Sequence, residues 1–180
     1  MSRPRPADAV NLIMSLFSQE ESLINDALGI LSECYGEADY ISPFLRFDYT
    51  DYYAEETGAK LVRRFVSFAG LIRPESLADI KLVTNTLEDR FSVAGKRRLN
   101  IDPGYIAHAH LILATGKGYT HRPYLRDGIY ADLTLIYQDG AFRVLPWTYP
   151  DYGSPDVIDM LDTIRRRYSE KLKLQRNLKS

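Results

Sequence analysis

Groups able to hold an anion, stack on a ring or move a proton concentrate between Arg97 and Tyr152 of this 180-residue chain. They run Arg97-Arg98-Leu99-Asn100-Ile101-Asp102-Pro103-Gly104-Tyr105, then Thr115-Gly116-Lys117-Gly118-Tyr119-Thr120-His121-Arg122. Gly128-Ile129-Tyr130-Ala131-Asp132 and Trp147-Thr148-Tyr149-Pro150-Asp151-Tyr152 complete the series. Arginine forks match phosphate and carboxylate oxygens with paired hydrogen bonds. Arg63, Arg64, Arg97, Arg98, Lys117 and Arg122 are therefore candidates for an anion pocket. Adjacent residues on a strand point to opposite faces, so at most half of these can converge. Internal ion pairs with Asp48, Asp51, Asp102 and Asp132 account for the same charges, and that alternative stays open.

Asp48-Tyr49-Thr50-Asp51-Tyr52-Tyr53 resembles the Thr148–Tyr152 segment in composition. Tyrosine offers a flat face for a base or sugar and a hydroxyl for hydrogen bonding. Aspartate in a turn also binds its own backbone, which is the structural alternative. His108 and His110 form an H-x-H pair whose rings share a face only on a strand. His121 would be a third ligand there, with Asp132 or Asp102 as carboxylate. The spacing matches no established zinc signature, so these histidines are read as surface or core-edge residues. Thr115-Gly116-Lys117-Gly118 lacks the G-x-x-x-x-G-K-[ST] pattern between strand and helix that a phosphate loop requires. No dinucleotide fingerprint, nucleophile elbow or kinase motif is present.

The elements that must position these groups are legible as periodicity. Val10–Phe17 is an apolar run, broken by Asn11 and Ser15, and reads as a buried strand. Ser18 with Glu21 has capping-box spacing for a helix with stripe Leu23, Ile24, Ala27, Leu28 and Leu31, stopped at Gly36. Tyr40–Phe47 is extended and interrupted by Pro43, as at a sheet edge. Leu61–Phe68 reads as a strand, and Pro74 opens a second helix with stripe Leu77, Ile80, Val83, Leu87 and Phe91. Leu99–Ile101 reads as a strand, and the segment from Asp102-Pro103-Gly104 as a turn or single helical turn before the next strand. His110–Ala114, Tyr124–Leu125, Ile129–Tyr137 and Ala141–Leu145 favour strands, the last two joined by a tight Asp139-Gly140 turn. Ser154-Pro155 starts a third helix with stripe Val157, Ile158, Leu161, Ile164 and Tyr168.

The expected fold is one α+β domain over 1–180. It combines a mostly antiparallel sheet in ferredoxin-like order (βαββαβ), helices on one face, an added β-hairpin and a C-terminal helix. Apolar content of 45% and charged content of 26% suit a soluble globular chain. No apolar run reaches the roughly 18 residues of a membrane span. Met1–Pro6 is basic but lacks a following apolar leader and cleavage site. With Cys34 the only cysteine, a reducing cytoplasm is expected. The net charge of −1 hides an asymmetry, because seven basic residues from Arg165 to Lys179 face only Glu170 at the C-terminal end. That basic end, about 163–180, is read as a solvated helix terminus suited to the helix dipole.

A further set of motifs sits beside those already quoted: Arg64-Phe65-Val66-Ser67-Phe68, Thr84-Asn85 and Leu113-Ala114-Thr115. Together with Asp48–Tyr53, Asn100–Tyr105, His121-Arg122, Gly128–Ala131 and Trp147–Tyr152, the series resembles the prokaryotic family known as domain of unknown function 4416. The resemblance covers nearly the whole chain and implies a small cytoplasmic single-domain protein. It assigns no activity, and His108 and His110 are not part of the series.

The leading expectation is a site for a small anionic ligand, a nucleotide or other phosphate, made from Arg64, Arg98, Asn100, Asp102, Tyr105, His121, Arg122, Tyr130 and Asp151. Arginines would hold the anion, Tyr105 or Tyr130 would stack, and Asp102 would orient a hydroxyl or water. An alternative is an enzyme with His121 as acid or base and Asp102 or Asp151 as its partner. A third is an RNA-binding or protein-interaction module using the sheet and the basic C-terminal helix. The acidic remainder of the chain opposes strong attraction to a phosphate backbone. The sequence indicates no cofactor and no oligomeric state.

Overall fold

Val10–Ser18 (β1) is apolar on both faces because it lies inside a sheet with helices on either side. The computed structural model describes residues 3–47 and 61–177, so the expectations for Asp48–Tyr53 lie outside the described residues. The other strands are β2 (Ala38–Ile41), β3 (Leu45–Phe47), β4 (Leu61–Ile72), β5 (Leu99–Ile106) and β6 (His110–Thr115). β7 (Tyr124–Arg126), β8 (Ile129–Gln138) and β9 (Ala141–Val144) follow. Three helices join them: α1 (Glu21–Tyr35), α2 (Leu77–Arg90) and α3 (Pro155–Asn177). Among the described residues the nine strands form one sheet, ordered β2-β4-β1-β5-β6-β8-β7, with β3 on β4 and β9 on β8. Its named ladders are antiparallel.

The alternation along β1 divides the core. Leu12, Met14 and Leu16 pack with Ile24, Ala27 and Leu31 of α1 and with Ile80 and Leu87 of α2. Ile13 and Phe65 face the other way, against Leu161, Ile164 and Tyr168 of α3. Helices therefore cover both faces, not one. The reason is that a strand buried on both sides needs two apolar partners, and α3 supplies the second.

Local chemistry explains where the sequence pattern fails. Pro74–Ser76 forms a single 3-10 turn before α2 begins. Val83 of α2 is 45% exposed, whereas Lys81, Thr84 and Glu88 are buried on the inner face. Ser18 makes no cap to the helical N–H groups; its hydroxyl accepts from Glu20 N and donates to Arg98 O. Asp102-Pro103-Gly104 is not a turn but the middle of β5. Gly104 is needed there because a Cβ would lie 2.3 Å from Ile112 O. Asp139-Gly140 turns β8 into β9, and Asp127-Gly128 turns β7 into β8, all four residues at positive φ.

Candidate functional site

One end of the sheet collects the chemistry. Antiparallel pairing sets Phe17 beside Arg63 and Asn100, and Ser15 beside Asp102. Gly104 pairs with Leu113, Leu113 with Asp132, and Thr115 with Tyr130. β5 and β6 pair only through Gly104–Ile106, so toward this end Leu99–Pro103 has an open edge. Side chains of α2 replace the missing strand. Lys81 Nζ donates to Ile101 O at 2.8 Å, and Ile101 N donates to Glu88 Oε1 at 2.7 Å. Pro103, two residues on along the same edge, has no N–H to leave unpaired. Burial pushes the Glu88 carboxyl up, against the pull of Lys81 and Arg97. Arg97 reaches Glu88 Oε2 at 3.2 Å, and Lys81 lies 3.5 Å from the half-exposed Asp102.

On the α3 side of the same end, Arg63 is only 4% exposed. Its Nε donates to Ser15 Oγ at 2.6 Å, and a second nitrogen donates to Asp151. Its guanidinium lies over the rings of Phe65 and Tyr152, 4.5 and 4.7 Å from their centres. A planar, weakly hydrated cation suits this site, where the charge must be paired and stacked at once. Burial holds the Tyr152 phenol well above its usual value, while the Arg63 charge and the Ser15 hydroxyl oppose that rise.

A third cluster centres on Asp132. Arg122 Nε donates to Asp132 Oδ2 at 2.7 Å, and Thr134 Oγ1 lies 3.2 Å from Oδ1. His121 Nε2 stands 3.5 Å from Asp132 Oδ2, buried and without a hydrogen-bond partner among the described residues. The imidazole stacks on Trp147 at 4.8 Å and 12°, with Tyr119 edge-on at 5.4 Å. The remaining Arg122 nitrogens reach Lys117 O and the Tyr149 hydroxyl. The carboxylate beside His121 is thus Asp132, while Asp151 belongs to Arg63 and Asp102 to the Lys81 group.

The expected residues divide between several places. Arg98 and Asn100 line a cleft of about 560 Å3 with Ser18, Glu20, Lys96 and Arg97. Arg98 forks onto Glu20, and Asn100 accepts from Arg97 at 3.1 Å. Arg64 turns to the opposite face, donating to Asn25 of α1 at 2.9 Å and stacking on Phe44 at 3.7 Å. Tyr105 packs on His110, and burial raises its phenol while lowering the His110 imidazole. His108 packs on Tyr168 instead. Among the described residues no group of three His, Cys, Asp or Glu side chains is placed to hold a metal. Tyr130 meets Tyr124 edge-on at 5.3 Å and supports the Gly118 backbone from below. Ser15, Trp147 and Tyr149 belong to these clusters but are outside the expected anion-site set, and Asp132, expected only as a metal carboxylate or an arginine's ion-pair partner, centres one of them. The available signal was a polar residue inside an apolar strand, as Ser15 is in β1.

The fold and site define a mixed α/β protein with a mostly antiparallel sheet and a charged, aromatic-rich end. The chain belongs to the family described as Domain of unknown function (DUF4416), whose model matches residues 8–168. No curated protein and no solved structure matches it. Among the described residues no helix is long and apolar enough to cross a membrane.

Proposed function

We propose that this protein binds a small anionic ligand, a nucleotide or other phosphate, in the cleft between the β1–α1 connection and the Gly95–Asn100 segment. The convergence of Lys96, Arg97 and Arg98 on one volume of about 560 Å3 carries the reading. That volume suits a small-molecule site. Glu20 and Glu88 hold the Arg98 and Arg97 forks in position, and Lys96 is exposed with no ion pair among the described residues. An incoming phosphate takes the Arg98 fork from Glu20.

Thermal unfolding with inorganic phosphate, ribose 5-phosphate and nucleotides tests this. Ligand at 100 times Kd should add about 2.7 kcal/mol. Arg98→Ala should abolish the shift with inorganic phosphate and ribose 5-phosphate, and Glu20→Gln should enlarge it. Absence of a shift with every anion rejects the reading.

The short Asp132–His121 distance favours a second reading, an acid–base site in which Asp132 orients the imidazole. Turnover of a phosphate-ester panel that survives His121→Gln unchanged would dismiss it. The β2-β4-β1-β5 order supports a ferredoxin-like arrangement in the first half, with α1 following β1 and α2 leading into β5. The lone, exposed Cys34 suits a reducing cytoplasm.

A further inference from the structure

Three large rings that contact His121 or Arg122 stand in solvent: Tyr119 is 68% exposed, Tyr149 55% and Trp147 38%. Single exposed apolar residues are ordinary, but a group of large rings at one place marks a binding surface. Each ring is held. Trp147 Nε1 donates to Leu133 O at 2.8 Å, and one indole face is packed on the imidazole. Tyr119 stands edge-on to the same imidazole in a turn closed by Arg122 N donating to Tyr119 O at 3.0 Å. The Tyr149 hydroxyl accepts from Arg122, which Asp132 anchors. Thr148, between Trp147 and Tyr149, donates to Thr134 O and accepts from Leu145 N, so the loop is fastened to β8.

Rings fixed in advance lose little freedom when a ligand arrives. The charges beside them narrow the ligand. Arg122 and Asp132 neutralise each other, whereas Lys117 is exposed and makes no ion pair among the described residues. Fixed aromatic faces with an exposed lysine two residues from Tyr119, its carbonyl held by Arg122, match a flat base that carries a phosphate. A sugar phosphate would use the cation and leave the rings idle.

We propose that Tyr119, Trp147 and Tyr149 form a stacking site for a nucleobase, with Lys117 receiving the phosphate of the same nucleotide. This site is separate from the Lys96–Arg98 cleft and does not depend on it. The base can come from a free nucleotide or from a single-stranded nucleic acid.

Trp147 is the only tryptophan, so its fluorescence reports this surface alone. Uridine and adenosine monophosphates should quench it saturably when excited beyond the absorption of the bases, and ribose 5-phosphate should not. Tyr119→Ala, at an exposed turn position, should weaken nucleotide binding about 5- to 100-fold. Tyr119→Phe should restore it, and Lys117→Ala should weaken nucleotides more than nucleosides. An oligouridine that binds more tightly than uridine monophosphate, with strong salt dependence, assigns the site to a strand. Equal binding assigns it to free nucleotides, and both outcomes support base stacking. Equal quenching by ribose 5-phosphate overturns the proposal, as does an unchanged Kd in Tyr119→Ala. Quenching lost in Arg98→Ala but kept in Tyr119→Ala means that Trp147 senses ligand bound elsewhere, and also overturns it.

Discussion

Arg63 and Arg64 are neighbours in sequence, yet strand geometry sends them into different surroundings. Arg63 pairs with Asp151 and Ser15 under two rings on the α3 side, and Arg64 reaches α1 across the other face. That one of the two must turn inward was readable from the period of two. Which one, and what awaits it, depends on the register of β4 against β1. A buried cation left without its carboxylate is costly. Asp151→Ala should therefore destabilise the protein by roughly 3–5 kcal/mol. Arg64→Ala, which breaks a contact at the surface, should cost about 1 kcal/mol or less. Urea unfolding of the two variants checks this, and equal losses would mean that Arg63 is not committed to Asp151.

At the scale of elements, the junction of β5 with α2 departs furthest from its local sequence pattern. Pro103-Gly104 has turn composition but lies within a strand, because Pro103 faces an open edge and Gly104 admits the backbone of β6. Lys81, Thr84 and Glu88 interrupt the apolar stripe of α2 for a related reason: Lys81 and Glu88 complete the hydrogen bonding of Ile101, and Thr84 sits between them on that face. A helix that substitutes for a strand must present polar side chains where a packing helix presents leucine. Glu88→Ala should leave Ile101 N–H unpaired and take a carboxylate from both Lys81 and Arg97, Lys81 keeping Ile101 O and Asp102. The expected loss is about 3 kcal/mol, read by urea unfolding. Amide exchange at Ile101 should accelerate well beyond that at Leu12, and unchanged protection there would contradict the role given to Glu88.

Over the whole molecule, α3 acts as a clamp. Tyr168 donates to Ala9 O at 2.9 Å, and Arg165 donates to His108 O while lying over Tyr137. Lys171 reaches Asn11, Phe68 O and Asp39, Arg167 donates to Asp39 O, and Arg176 pairs with Asp8. Four basic residues of the C-terminal end are therefore bonded to the sheet side of the molecule or to the N-terminal segment, while Arg166, Arg167, Lys173 and Arg176 are exposed on the solvated helix end. Nucleic-acid attraction through it is correspondingly reduced, since paired cations release few counterions.

Burial alone would raise the Asp39 carboxyl, but hydrogen bonds from Lys171 and Ser67 and the charges of Lys171 and Arg167 outweigh it and hold it below the usual carboxylate range. A lowered folded value means the unfolded chain takes the proton first as pH falls. The stabilisation is complete above the unfolded value and is lost as pH descends through the folded one. Asp39→Asn should lower stability at neutral pH and flatten the acid limb below about pH 4. Urea midpoints across that range test this, and an acid limb as steep as in the parent would exclude Asp39 as its source.

The sequence by itself determined the three helices, most of the strands, the Asp-Gly hairpin of β8 and β9, and the family. These are local matters of period, turn residues and motif, and neighbouring residues carry them. Only the tertiary structure decided that helices cover both faces, that β5 has an open edge sealed by α2, and that Asp132 is the carboxylate beside His121. It also distributed five charges of the Arg97–Tyr152 run among four ion pairs: Asp151 with Arg63, Arg122 with Asp132, Arg97 with Glu88 and Arg98 with Glu20. Such pairings join residues up to 88 positions apart, through strand register and crossover order. No local pattern encodes them, because a side chain's type states what it can bind while only the fold states what stands within reach.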